Sequence, residues 1–258
     1  MVNIVAQKLY ETCMEVFVDG DHQTAANIPP PSDIERLKSI LDSIKPEDLN
    51  LTPNMPIFMG SSNAQDDAPP ITYIHLHECN KFSIGIFCLP QSAVIPLHNH
   101  PNMTVFSKVL FGSLRVKSYD WVDDGTSSVM NKDAEQITHM GQHGIRLAKV
   151  HVDSDFTTPC STFVLYPAAG GNMHCFTALS PCAILDVLGP PYSESQGRNC
   201  TYFQDFPFDR FSDGGKELQP EEIEEDRKQY AWLQEREKPE DFIVVGALSY
   251  DPNITENS

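Results

Sequence analysis

Apolar positions along this chain fall into two regimes. Val5, Leu9, Val16 and Phe17 recur at near-helical spacing and predict an amphipathic helix over residues 3–17. A second stripe, Ile34, Leu37, Ile40, Leu41 and Ile44, predicts another helix. Ser32 with Glu35 three residues on forms a capping box at its start, and Pro46 ends it. From Ile71 onward the pattern changes to short extended runs, apolar-rich at 103–111 and strictly alternating at 114–119. Short runs at roughly even spacing predict strands at 71–76, 82–89, 103–111, 114–121, 148–152, 161–166, 175–179, 183–188 and 201–203. That many short strands separated by turn signals predicts a sandwich or barrel.

The polar stretches are read from what they lack. Residues 50–70 carry Pro, Asn, Ser, Gly and Asp with no apolar period, which predicts a long loop. Residues 122–144 predict a glycine-dotted excursion, and the turn at Phe111-Gly112-Ser113 predicts a β-hairpin joining the runs on either side. After Phe211 the composition shifts. Residues 217–241 hold ten acidic and four basic side chains, which predicts a solvated helix at 220–235 followed by a last strand at 242–245. One domain is expected over 1–258, with N-terminal helices in 1–48, a barrel core in 71–205 and a C-terminal extension in 206–258.

Charge and cysteine content narrow the function classes. Lys and Arg total 18 against 36 Asp and Glu, a net charge of −18, so a phosphate backbone or an anionic membrane surface is repelled. Direct nucleic-acid binding is therefore excluded as an expectation. No run reaches the length of a membrane span, and Lys8 and Glu11 interrupt the region where a signal peptide would be continuously apolar. Seven cysteines without a framework spacing fit a reducing compartment, which makes Asn199-Cys200-Thr201 and Asn253-Ile254-Thr255 chance glycosylation matches. A monomer is expected, and a chain of this size is small enough to distribute between nucleus and cytoplasm, with no strong basic import cluster to favour the nucleus.

The candidate chemistry centres on Pro96-Leu97-His98-Asn99-His100-Pro101. Two histidines at i and i+2 in an extended segment face the same way, so both imidazoles can meet one ion. His174, delivered by the double-glycine turn Gly170-Gly171 to the start of another strand, is the best third ligand. Three neutral imidazoles suit zinc or ferrous iron, and the residues alone do not separate the two. The pair His75 and His77 has the same spacing but no glycine-turn partner, and is read as a structural strand. His22, His139, His143 and His151 fall in or near predicted loops. Asp186 is a lone carboxylate inside Ala183-Ile184-Leu185-Asp186-Val187-Leu188 and needs a partner if buried, either a structural donor or a ligand. Cys175 should point away from His174, while Cys200 and Tyr202, two apart on a predicted strand, should face one way.

His98-Asn99-His100 with Gly112 twelve residues after His100, and Gly171 three residues before His174, resemble the two motifs of the cupin superfamily. That resemblance implies a double-stranded β-helix, or jelly-roll barrel. Val105 stands where many cupins carry a ligand glutamate, Ser92 replaces a glycine and Ala178 an asparagine; losing the glutamate leaves a three-histidine site. Five stretches are similar to the plant cysteine oxidases, relatives of animal cysteamine dioxygenase. They are His75-Leu76-His77-Glu78-Cys79, residues 82–88, residues 96–101, Val116-Lys117-Ser118-Tyr119-Asp120-Trp121 and Cys182-Ala183-Ile184-Leu185-Asp186.

This resemblance implies one Fe2+ per chain and a dioxygenase that adds both atoms of O2 to an N-terminal cysteine thiol, giving the sulfinic acid. Implied substrates are proteins exposing that cysteine, notably group VII ethylene-response transcription factors, so that oxygen supply sets their lifetime through the arginine N-degron pathway. It draws Asp186 and Tyr192 toward the catalytic site and suggests a thioether between Cys200 and Tyr202, beside the plainer reading of a buried thiol next to an aromatic ring. Arg115 is the only arginine close in sequence to the histidines, so no clamp for a free amino-acid carboxylate is evident. Two other readings stay open: a dioxygenase of small thiols such as cysteamine, and a metal-binding cupin without catalysis.

Overall fold

The computed structural model describes residues 4–17, 28–59, 70–122, 144–211 and 228–247. Helices α1 (Ile4–Val16) and α2 (Pro31–Ser43) precede twelve strands: β1 (Ile71–Glu78), β2 (Ser83–Leu89), β3 (Val94–His98), β4 (Thr104–Phe111), β5 (Ser113–Trp121), β6 (Ile145–Thr157), β7 (Phe163–Leu165), β8 (Met173–Ala178), β9 (Cys182–Gly189), β10 (Tyr202–Pro207), β11 (Tyr230–Arg236) and β12 (Val244–Gly246). The strands form two sheets. One runs β12-β1-β2-β9-β4-β7, and the other, β10-β11-β6-β5-β8-β3, closes on itself where Tyr202 pairs with His98. This is the expected mainly β, cupin-type double-stranded β-helix.

Three layers of packing follow from strand alternation. On β9, Ala183, Leu185 and Val187 point outward and join Leu9, Leu37, Leu41 and Phe106 in a core under the two helices, while Ile184 points between the sheets to Leu114, Val116 and Phe176. Leu97, Tyr119, Ala148, Met173, Phe203, Ala231 and Leu233, drawn from all six strands of the second sheet, fill the space that sheet encloses. Because helices cover its outer face, β4 is buried at every position. Its one cation there, Lys108, donates to Asp42 of α2 at 3.1 Å and to the Cys160 carbonyl at 2.6 Å, tying the helix to the sheet.

Four sequence expectations change. Pro31 opens α2 as its first residue, with the Ile34 amide donating to Pro30 at 3.0 Å, so the Ser32 capping box does not form. The hairpin at Gly112 is a sheet crossing: β4 bonds to β7 and β9, whereas β5 bonds to β6 and β8. Gly112 sits at φ +84°, and a Cβ there would overlap the Pro181 carbonyl, so only glycine lets the chain turn this corner. Within the expected loop 50–70, Leu51 and Phe58 are buried, and Phe58 packs edge-on to Phe111 at 4.9 Å. Residues 230–235 of the expected acidic helix belong to β11, where Ala231, Trp232 and Leu233 are buried in succession between β10 and β6. The barrel offered two ladders of unpaired backbone groups, and satisfying them outweighs local helix propensity. The excursion at 123–143, His22, His139, His143, Asn253 and residues 212–227 lie outside the described residues.

Candidate metal centre and substrate cavity

β3 carries His98 at its last residue, paired directly across from His174 on β8 and Tyr202 on β10. Beyond the strand end the chain stays extended, because Asn99 accepts the Thr201 amide on its side chain at 2.8 Å and donates its own amide to the Thr201 carbonyl at 3.1 Å. That keeps His100 on the same side as His98. Each pair of the three imidazoles has its ring centroids 4.8 Å apart, and one ligand nitrogen from each ring lies within 4.8 Å of the other two.

Carbonyls behind the rings set their tautomers. His98 Nδ1 lies 2.7 Å from the Pro96 oxygen and His100 Nδ1 lies 3.3 Å from the Asn172 oxygen. A carbonyl only accepts, so both Nδ1 atoms carry the proton and both Nε2 lone pairs are free for an ion. Burial holds His98 below the usual imidazole range, opposed by the carbonyls of Pro96 and His174. Burial, then the neighbouring rings, hold His100 and His174 well below it. All three are neutral donors at physiological pH, the state a metal requires. Among the described residues no carboxylate joins this group. At the position of Val105 the side chain is buried with Met103 and Leu165.

The second half of the cradle was only partly legible. Gly171, at φ +80°, lies against Ser118, whose Oγ would be 2.5 Å from a Cβ there. Asp120 accepts the amides of Gly171 at 2.9 Å and Asn172 at 3.0 Å. Asn172 then accepts the His100 amide at 3.1 Å and donates to the carbonyls of His100 and Tyr166, both at 2.8 Å. Asp120 and Asn172 were missed as site residues because their partners are backbone groups brought near only by the fold. Asp120→Ala is expected to weaken metal binding about 10–100-fold, measured by competition with a chromophoric chelator, and Asp120→Asn, which keeps one acceptor oxygen, to weaken it less.

Asp186 lies on the inner face of β9, buried, with Oδ1 unpartnered among the described residues and the Ser107 hydroxyl hydrogen-bonded to its side chain. Burial pushes its pKa up to about 7, against the opposing Ser107 bond. It lines a cavity of about 320 Å³ together with Tyr73, Phe87, Leu188 and Tyr192. Tyr192 packs 5.5 Å from the His100 ring and donates its hydroxyl to the Asn99 carbonyl at 2.7 Å, so its proton is already committed. Cys200 is a free thiol in hydrogen-bond contact with both Tyr192 and Tyr202, and burial raises its pKa.

Other sequence candidates lie away from this centre. A β-bulge separates His75 from His77, leaving His75 exposed and His77 buried against Tyr10 at 4.8 Å. His151 belongs to β6 and not to a loop, 3.6 Å from Asp120. Cys175 faces the core enclosed by the second sheet, on the opposite side of β8 from His174. Arg115 pairs with Asp153 and Asp155 on the surface.

Fold and centre together define a cupin with a three-histidine metal-binding group. The chain belongs to the PCO_ADO family, whose model matches residues 40–254. It is 51% identical to plant cysteine oxidase 2 of Arabidopsis thaliana over 251 residues, covering 97% of this chain and 83% of that protein. It is 30% identical to 2-aminoethanethiol dioxygenase of Mus musculus, covering 87% and 86%. An RmlC-like cupin from Desulfovibrio desulfuricans is 18% identical over 52% of this chain and 98% of its own, at TM-score 0.29, a likeness that adds nothing to the topology itself.

Proposed function

We propose that this protein is an iron(II)-dependent dioxygenase of N-terminal cysteine. The observation that carries the reading is three neutral imidazoles converging with no carboxylate among the described residues; the buried Asp186, with one oxygen unpaired, lines a cavity joined to this centre through Tyr192, which packs on His100. Ferrous iron held by His98, His100 and His174 would supply thiolate binding and activation of O2, with open positions left by the absent fourth protein ligand. The overall change is RSH + O2 → RSO2H, in which sulfur is oxidised, both oxygen atoms end on it and no further reductant is consumed.

The chain's own groups serve the other end of the substrate. An α-amine arrives protonated, with a pKa of about 8. The Asp186 carboxylate accepts a hydrogen bond from it and can take its proton, since a pKa of about 7 lies near the operating pH. Tyr192, its proton held by Asn99, packs on His100 and fixes the wall of the site. The hydrogen-bond contact between Cys200 and Tyr202 supports the thioether that the family suggests, and a loss of two hydrogens in the intact mass tests it.

The expected substrates are proteins exposing an N-terminal cysteine, such as group VII ethylene-response factors, with O2 supply setting their turnover. One domain over 1–258 is supported by the core that α1 and α2 share with the first sheet. Seven free cysteines support a reducing location, in nucleus and cytoplasm.

The test is mass spectrometry of a peptide beginning with cysteine, incubated with iron-loaded protein in air. Controls are an anaerobic sample and a peptide with its amine blocked. A gain of two oxygen atoms only in air and only with the free amine is expected. Oxidation of cysteamine but not of the peptide would favour the small-thiol reading, and no oxidation of either the non-catalytic one.

A further inference from the structure

Tyr73 has a seat built for it. It projects from β1 into the same cavity as Asp186, packs on Phe87 at a ring-centroid distance of 4.9 Å, and lies across Gly85 of β2. A Cβ at Gly85 would overlap the Tyr73 hydroxyl oxygen and the edge of its ring, so the glycine is what admits the side chain in this position. Gly85 stands directly across from Asp186 in the β2–β9 pair. Directly paired residues have Cα atoms about 5 Å apart, so the Tyr73 hydroxyl, lying over Gly85, is a neighbour of Asp186 across the strand pair.

The ring has a packing role, but the hydroxyl does not. It makes no hydrogen bond to any described residue, and burial, with Asp186 and Glu78 nearby, raises its pKa to about 12, so it keeps its proton and serves as a donor. Beside it, Asp186 has one buried oxygen without a partner. The cavity thus offers a carboxylate acceptor from β9 and a hydroxyl donor from β1, in a lining that also includes Glu78 and Ser83 and is otherwise largely apolar. In a chain that begins with cysteine, amine and first peptide carbonyl flank one Cα. Hydrogen bonds of about 2.9 Å to each would let that residue bridge the two protein groups.

We propose that Tyr73 is a specificity-determining residue whose hydroxyl donates to the first peptide carbonyl of a substrate held by its amine at Asp186. This rests on the N-terminal-cysteine reading above. Tyr73 is then what distinguishes a peptide from a small aminothiol, because cysteamine has the same amine and thiol and lacks the carbonyl. Gly85 is a positioning residue that acts through Tyr73.

The experiment is equilibrium binding to iron-loaded protein under nitrogen, with a fluorescent peptide beginning with cysteine as the probe and cysteamine as a competitor. Tyr73→Phe is expected to weaken peptide binding about tenfold and to change cysteamine binding less than twofold, the loss of one hydrogen bond from one ligand only. Gly85→Ala, by displacing the ring, should give the same selective loss. Tyr73→Phe removes a hydroxyl with no hydrogen-bond partner among the described residues, so folding is preserved. Unchanged peptide binding in Tyr73→Phe, or equal losses for peptide and cysteamine, would overturn the proposal. Selective loss in a protein that oxidises nothing would remove the catalytic reading and keep this one. Peptide oxidation with Tyr73→Phe binding like wild type would do the reverse, and wild-type protein that binds no peptide would remove both.

Discussion

Alanine at His174 is expected to abolish metal binding and turnover together. The imidazole is one of only three donors in the group, and no carboxylate among the described residues stands by to replace it. Removing a partner that merely supports a metal ligand already costs about 10–100-fold, so removing the ligand should cost at least roughly a thousandfold in metal affinity. The same outcome is expected for His98 and His100, with metal content by mass spectrometry and oxygen consumption as paired readouts. Full activity after any one replacement would take that residue out of the ligand set. The metal-free variant should stay folded, because the three rings are buried neutral and removing one leaves no unpaired charge.

Asp186→Asn should separate function from stability. Removing one partner of a buried charge interaction costs about 2–5 kcal/mol, or roughly thirty- to several-thousand-fold in kcat/KM for a peptide. In wild-type protein kcat/KM should rise as pH climbs through about 7, the Asp186 value, because only the carboxylate can take the amine's proton; the variant should lose that rise.

Stability moves the other way. Folding raises this pKa from 3.8 to about 7, so the folded state binds the proton more tightly than the unfolded chain does. Wild-type stability therefore falls as pH rises from about 4 to about 7, and the cost is fully present above it. The shift is worth on the order of a few kcal/mol, which Asn does not incur. Urea titrations of metal-free protein should show Asp186→Asn the more stable at pH 8, with the difference gone below pH ~4. Equal stability at pH 8 would mean that Asp186 is ionised without cost, paired with a group the static structure does not show.

The sequence by itself determined the elements whose signals are local. In the helical stripes at Val5–Phe17 and Ile34–Ile44 the apolar residues recur within one or two turns of each other, and the strands of the barrel show as short apolar or alternating runs. The His98 and His100 pair needs only an extended backbone to face one way, and the Gly170-Gly171 turn before His174 depends on φ values that glycine alone adopts freely. Asp186 was legible as a charge in an apolar strand. Tertiary structure decided everything that depends on which segments meet. The apolar run at β4 and the alternation at β5 fit a hairpin or a sheet crossing equally well, and the crossing is decided by the different partners the two strands find, β7 and β9 against β6 and β8. Tyr230–Arg236 carries a charge pattern suited to a helix, yet β6 and β10 leave it backbone partners that only a strand satisfies. Asp120, Asn172 and Tyr73 gave no local signal at all, because each acts on a residue far along the chain: Gly171, His100 and, across Gly85, Asp186. Periodicity reports which face of an element is apolar, and it carries no record of what that face will meet.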